Sequence, residues 1–246
     1  SDNRPFLKPL RYVSKEFFIP EQLIDSHQSK NLDWISNLYI TYKVLGSGKI
    51  RKKLVVPNPS YKASISEEYQ DQMKVTMRDF PFIEINEKFK TVKIQSGNWI
   101  INNNLVIPKG YTLYISEGTK IDLINSSSIF SKSNIIASGS ENNPIIITSS
   151  DNSGQGVFIS EASKRSVLDY IVFENLSSID TKTIPIQLTG AVTFYKTSVN
   201  ISNSKFINNL SEDALNIIRS EFKIQDVFVD NSYSDSIDID FSNGKI

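Results

Sequence analysis

The sequence predicts an all-β protein, a right-handed parallel β-helix preceded by a small β-rich module. Three observations carry this. Apolar residues recur at a fixed period over the last two thirds of the chain, in pairs at i and i+2, and Gly, Asn, Ser and Asp punctuate the pairs. Leu113, Ile135, Val157, Val192, Leu215 and Ile237 form one column, with steps of 22, 22, 35, 23 and 22 residues. Ile115, Ala137, Ile159, Phe194, Ile217 and Ile239 accompany them two residues later. A second register runs Ile121, Ile145, Leu168, Ile201, Ile224 and Ile246, and a third runs Phe173, Phe206 and Val229. Self-similarity at such a period marks stacked units that bury a core only jointly. The i, i+2 spacing is that of a strand with one buried face.

Each element follows from this reading. About three short strands in ~22 residues make one turn, stacked on the next at roughly 4.8 Å. The steps of 35 and 33 residues place an insertion at Leu176–Leu188, and insertions in solenoids map to loops on one face. Asn175, Asn208 and Asn231 follow the third register by two residues. They read as a structural column in tight turns. Between the two members of the first column lie Tyr114, Ile136, Phe158, Thr193, Asn216 and Asp238, apolar in the early turns and polar in the late ones. That apolar outer face predicts a cover, either residues 1–90 or a partner protein or sugar.

Residues 1–90 lack the repeat and are expected to cap the solenoid, which occupies 91–246. Pro20–Ser26 reads as a short helix, and Ser64–Met73 as a second, with Ser64 capping and Glu67 at its third position. Leu38, Ile40, Tyr42 and Val44 alternate. Gly46-Ser47-Gly48 then turns the chain into Ile50, Leu54 and Val56, a hairpin with Arg51, Lys52 and Lys53 on its solvated side. Phe80–Ile85 is extended. Asn243-Gly244-Lys245-Ile246 repeats Glu221-Phe222-Lys223-Ile224, so the sequence is still in register at its last residue. This predicts a longer parent protein, with the β-helix truncated at its C-terminal end.

Composition narrows the chemistry. With 27 basic and 27 acidic residues, the chain lacks the basic footprint of a nucleic-acid binder. It has no Cys and a single His, His27, which excludes thiol nucleophiles, Cys-ligated metals and multi-His cages. No apolar run reaches the ~20 residues of a membrane span. No nucleophile elbow, phosphate-binding loop or dinucleotide fingerprint occurs, and no organic cofactor is expected.

The richest polar region lies in the last two turns. Glu212 and Asp213 align with Ser234 and Asp235, Asn216 with Asp238, and Ile218 with Asp240, while Arg219 and Lys223 lie nearby. Paired carboxylates suit general acid–base work. A cation facing an acceptor carboxylate, the part open to Arg219 or Lys223, would complete a lyase acting on uronate sugars. Asp238 and Asp240 could instead ligate calcium, a hard ion that takes oxygen donors. Asp and Asn are also ordinary solenoid turn residues. Tyr114, Phe158, Tyr195 and Trp99 could stack on sugar rings, with a core or cap role favoured for Trp99.

Leu188–Tyr195, Ser211–Phe222, Ser234–Ile246 and the entry segment Val106–Ile121 resemble bacterial right-handed parallel β-helix proteins, among them the C-terminal regions of spore-coat-kinase-like proteins. The resemblance covers about residues 80–246 and implies no catalytic residues. Three functions remain open from the sequence. The first is a non-catalytic scaffold or carbohydrate-associated binding module of a larger bacterial surface or envelope protein. The second is a polysaccharide lyase or epimerase acting on acidic glycans. The third is an element that self-associates end to end. The partners expected are a polysaccharide or another protein domain.

Overall fold

The computed structural model describes residues 39–43, 48–54, 74–179 and 188–246. The helices expected at Pro20–Ser26 and Ser64–Met73 lie outside these residues. The chain divides into two compact units, Ser1–Pro59 and Ser60–Ile246. In the first, β1 (Tyr39–Lys43) and β2 (Ile50–Leu54) form the expected antiparallel hairpin, pairing Tyr39 with Leu54 and Lys43 with Ile50. Arg51, Lys52 and Lys53 are exposed, and Lys52 Nζ lies 4.1 Å from the centre of the Tyr39 ring.

The second unit is a parallel β-solenoid of about six turns. β3 (Ile83–Asn86) runs antiparallel to β4 (Thr91–Ile94), and from β4 onward every pairing is parallel. Turn one comprises β4, β5 (Asn98–Ile101) and β6 (Leu105–Ile107). Turn two is β7 (Thr112–Ile115), β8 (Lys120–Leu123) and β9 (Ile129–Ser131); turn three is β10 (Asn134–Ser138), β11 (Ile145–Thr148) and β12 (Val157–Ser160). Turn four is β13 (Ser166–Asp169), β14 (Ile171–Glu174) and β15 (Gly190–Tyr195); turn five is β16 (Val199–Ser202), β17 (Lys205–Ile207) and β18 (Asp213–Ile218). Turn six is β19 (Glu221–Gln225), β20 (Phe228–Asp230) and β21 (Asp235–Asp240), and β22 (Asn243–Lys245) begins another. The first strand of each turn joins the first sheet, the second the second and the third the third. The described residues contain no helix.

The sequence columns need one correction. Phe173, Phe206 and Val229 are one ladder of the second sheet, continued by Ile147 and Ile121. The column that starts at Leu113 joins two sheets. Leu113 and Ile135 pair in the first sheet, whereas Val157, Val192, Leu215 and Ile237 pair in the third. Ile121 and Ile145 likewise belong to the second sheet, and Leu168, Ile201 and Ile224 to the first. The step from Ile135 to Val157 equals one period while crossing between sheets. All three sheets use the same i, i+2 alternation, so nothing in the residue types betrays the jump.

Each corner is set by backbone torsion. A residue with positive φ follows the strand at every corner of turns four to six. Asn175, Asn208 and Asn231 lead into the third sheet, and Tyr170, Asn203 and Asp226 into the second. Glu161, Lys196, Arg219 and Phe241 follow the third-sheet strands. From Glu161 to Arg219 the amide of each of these corner residues donates to a carbonyl one turn on, as Lys196 N does to Ile218 O (2.9 Å) and Asn208 N to Asp230 O (3.1 Å). Among residues with a side chain, Asn tolerates this left-handed conformation best. Asn231 Nδ2 also donates to Asn208 Oδ1 at 2.9 Å, so the expected Asn column is structural.

The core is a column of Val, Ile, Leu and Phe, with Phe173 and Phe206 stacked at 5.2 Å. Its first turn is covered by Met77, Phe80 and Phe82, all buried, and Phe82 stacks on Trp99 at 4.8 Å. Thr76 Oγ1 accepts from Val106 N (2.9 Å) and donates to Asn104 O (2.5 Å), pairing backbone that would otherwise be an open edge. Gly156, at φ +80, sits where an added Cβ would lie 2.0 Å from Ala191 O.

Candidate functional site

Outward positions of the third sheet form one continuous row, Val106, Phe130, Phe158, Thr193, Asn216 and Asp238. An outer face normally meets water, yet this row is buried as far as Asn216. Its apolar half packs against Ile179 and Leu188, which flank residues 180–187, and Phe130 meets Phe158 edge-on at 6.4 Å. Among the described residues the cover over Phe158 comes from Ile179 and Leu188; most of residues 1–90, the cover expected from the sequence, lies outside the described residues. Phe158 lies beneath the ends of the insertion, whereas Tyr114 and Ile136 belong to the first sheet and share no face with it.

That packing decides the aromatic candidates. Phe158 is 6 % exposed and has no ring face open to a sugar. Tyr195, partly buried, packs on the same cluster, with Lys196 Nζ 5.1 Å from its ring centre. Tyr114 is 40 % exposed on the first sheet, between Lys93 and Ile136. Trp99 belongs to the capped end of the core and donates from Nε1 to Gln95 O at 2.7 Å.

The polar half of the row begins where strand alternation slips. Ala214 and Leu215 are consecutive and both lie in the core, so Asp213 turns outward beside Asn216. Asn216 Nδ2 lies 2.9 Å from Thr189 Oγ1, 3.1 Å from Asp213 Oδ2 and 3.3 Å from Asp238 Oδ2. Asn216 is 2 % exposed, and its Oδ1 has no hydrogen-bond partner among the described residues. Gly190 occupies the position equivalent to Asp213 one turn earlier; an added Cβ there would lie 2.9 Å from Asn216 Cβ. Its lack of a side chain leaves room for the Asn216 amide.

The alignments of Asp213 with Asp235, Asn216 with Asp238 and Ile218 with Asp240 are all present. The Asp238 carboxyl is raised above the usual carboxylate range, first by burial, then by the charges of Asp240, Asp213 and Asp235. The described ion pairs include none of these four aspartates. Among the described residues no three His, Cys, Asp or Glu side chains group to hold a metal, so any cation here would also need amide and hydroxyl oxygens.

The remaining candidates are dispersed. Glu212 is exposed ahead of β18, where its carbonyl accepts from Ser234 N and Asp235 N. Lys223 is exposed on the first sheet, beside Asn200 and Lys245. Arg219 sits at a corner with its guanidinium 5.9 Å from the Phe241 ring centre, lining a shallow cleft with Lys196 and Glu221. The pairing of Lys223 with the aspartates suggested by their closeness in sequence is thus divided between two sheets.

Thr189 was not legible as a member of the aspartate cluster. It precedes its strand and joins through the Asn216 amide, a contact with no periodic signature. A separate cleft of about 450 Å³ opens at the capped end of the solenoid. Trp99, backed by the buried Phe82, and the 60 % exposed Ile100 give it an apolar floor, and Asp79, Asn98 and Asn103 are among its polar lining. No helix among the described residues is long and apolar enough to cross a membrane. Comparison with family models, curated proteins and solved structures finds no match for the chain.

Proposed function

We propose that this chain is a non-catalytic, carbohydrate-associated binding scaffold within a larger bacterial surface or envelope protein. The sequence resemblance to the β-helix regions of spore-coat-kinase-like proteins agrees with that setting. The observation that carries the reading is the cleft at the capped end. Sugars present apolar C–H faces and a dense set of hydroxyls. An apolar floor rimmed by side-chain amides and a carboxylate complements both. The floor is held by the stack of Phe82, from the cover, on Trp99 of the first turn, which favours a preorganised site.

A glycan array with and without calcium tests this, followed by calorimetry on Asn98→Ala/Asn103→Ala. The expected result is binding to a subset of glycans that this variant weakens at least about tenfold, the loss of two hydrogen bonds of ordinary strength. Uniformly negative arrays, or binding unchanged in the variant, would remove the cleft from the account. Ultraviolet-absorbing unsaturated products released from a uronate polymer would replace it with the lyase reading.

A further inference from the structure

The cleft at the capped end is almost free of charge, and the one charge in its lining is negative. Trp99 and Ile100 form the floor, and the side-chain amides of Asn98, Asn102 and Asn103 place neutral donors and acceptors around it. Among the described residues that line it, Asp79 is the one ionisable side chain. Asp79 is exposed and takes no part in the described ion pairs. Its neighbour in sequence, Arg78, is engaged by Glu87. One rung on, Lys120 aligns with Asn98 and Asp122 with Ile100, so the second turn adds one charge of each sign beside the cleft.

A sugar lying on this floor therefore meets a carboxylate that has no counter-ion. A hydroxyl donates to it as a neutral group. An ammonium makes a charge-assisted hydrogen bond of roughly twice the strength. A uronate finds amide donors in the lining but no cation, and it shares the cleft with a like charge. We infer that the cleft sorts glycans by charge: free amino sugars bind best, uncharged sugars less well and uronates least, with Asp79 setting the order. This rests on the carbohydrate-binding reading of the same cleft and names the class of sugar. Trp99 and Ile100 offer the same apolar contact to all three classes, so the floor supplies affinity and the carboxylate supplies the difference.

The test is a glycan array at about pH 6, where amines are protonated, with each amino sugar presented both free and N-acetylated. Calorimetry on the tightest such pair follows. At low salt the free amine should bind about three- to tenfold more tightly than its acetylated twin. That advantage should shrink as salt is raised towards about 0.5 M. Asp79→Asn, which keeps the shape, should abolish the advantage and leave the acetylated glycan within about threefold of the parent. Asn98→Ala/Asn103→Ala should weaken both glycans by a similar factor. Asp235→Asn, in turn six, should bind like the parent. Uncharged glycans that outrank every free amine overturn the inference, as does an amine advantage that survives Asp79→Asn. So does an advantage lost equally in Asp235→Asn, which would mean diffuse attraction to acidic surface. Uronate binding that Asn98→Ala/Asn103→Ala weakens also overturns it. In each of these cases the carbohydrate-binding reading stands; an array negative for every class removes that reading and the inference together.

Discussion

Phe158→Ala distinguishes a covered outer face from an aromatic platform. The ring is 6 % exposed, meets Phe130 edge-on at 6.4 Å, and is enclosed by Val106, Ile179 and Leu188. Truncating a fully enclosed Phe costs about 3–5 kcal/mol. This satellite cluster has only five buried members, so its neighbours can collapse partway into the gap, and the lower part of the range, about 3–4 kcal/mol, is expected. For a unit of this size that corresponds to a fall in melting temperature of roughly 6–16 °C. Tyr114→Ala is the internal control, an outward aromatic of the first sheet that is 40 % exposed, and it should cost about 1 kcal/mol or less. Thermal melts and urea titrations followed by circular dichroism report both. Equal losses for the two variants would refute the argument, because Phe158 would then be an ordinary surface ring.

Four further outcomes follow from named contacts. Gly156→Ala should cost about 2–4 kcal/mol in urea titrations, since its Cβ would strike Ala191 O at a backbone φ of +80. Asn208→Gly should stay within about 1 kcal/mol of the parent in the same assay, whereas Asn208→Val should lose about 1–2 kcal/mol more, because a β-branched residue resists the left-handed corner. Hydrogen bonds from Tyr111 Oη and Lys90 Nζ, with Arg78 also donating, hold the Glu87 carboxyl down at about 2 against a usual 4.5. Its contribution is present above about pH 4.5 and is lost as pH falls towards 2, so the melting temperatures of the parent and Glu87→Gln should differ at pH 7 and converge near pH 2. The Asp238 carboxyl is raised, so its ionisation lowers stability as pH rises through its folded-state value; at pH 7, Asp238→Asn should melt slightly above the parent.

Much of the fold was legible in the sequence because burial in a solenoid is written as period. The hairpin, the Asn corners, the Phe173–Phe206–Val229 ladder and the alignments of the last two turns rest on local alternation or on nearly equal turn lengths. Sheet identity was not legible. Leu113 and Val157 obey the same code on different sheets, and unequal early turns let the period slip between them. The cover over Phe158 was missed because Ile179 and Leu188 act singly, outside any repeat. The polar cluster was half visible. Asp213 and Asp238 stood out as acids, but the slip of alternation at Ala214, which turns Asp213 towards Asn216, leaves no mark in the residue pattern.

The recurring left-handed corners give the last two turns of this coil matching ends. Asn203 and Asp226 close equivalent bends with nearly the same torsion, φ 46 and 52. A tandem copy of residues 204–226 would therefore enter and leave on matching geometry, lengthening the rod by one rung of about 4.8 Å while its cross-section stays constant. Reach along the axis can thus be adjusted by duplication, separately from whatever the flanks recognise.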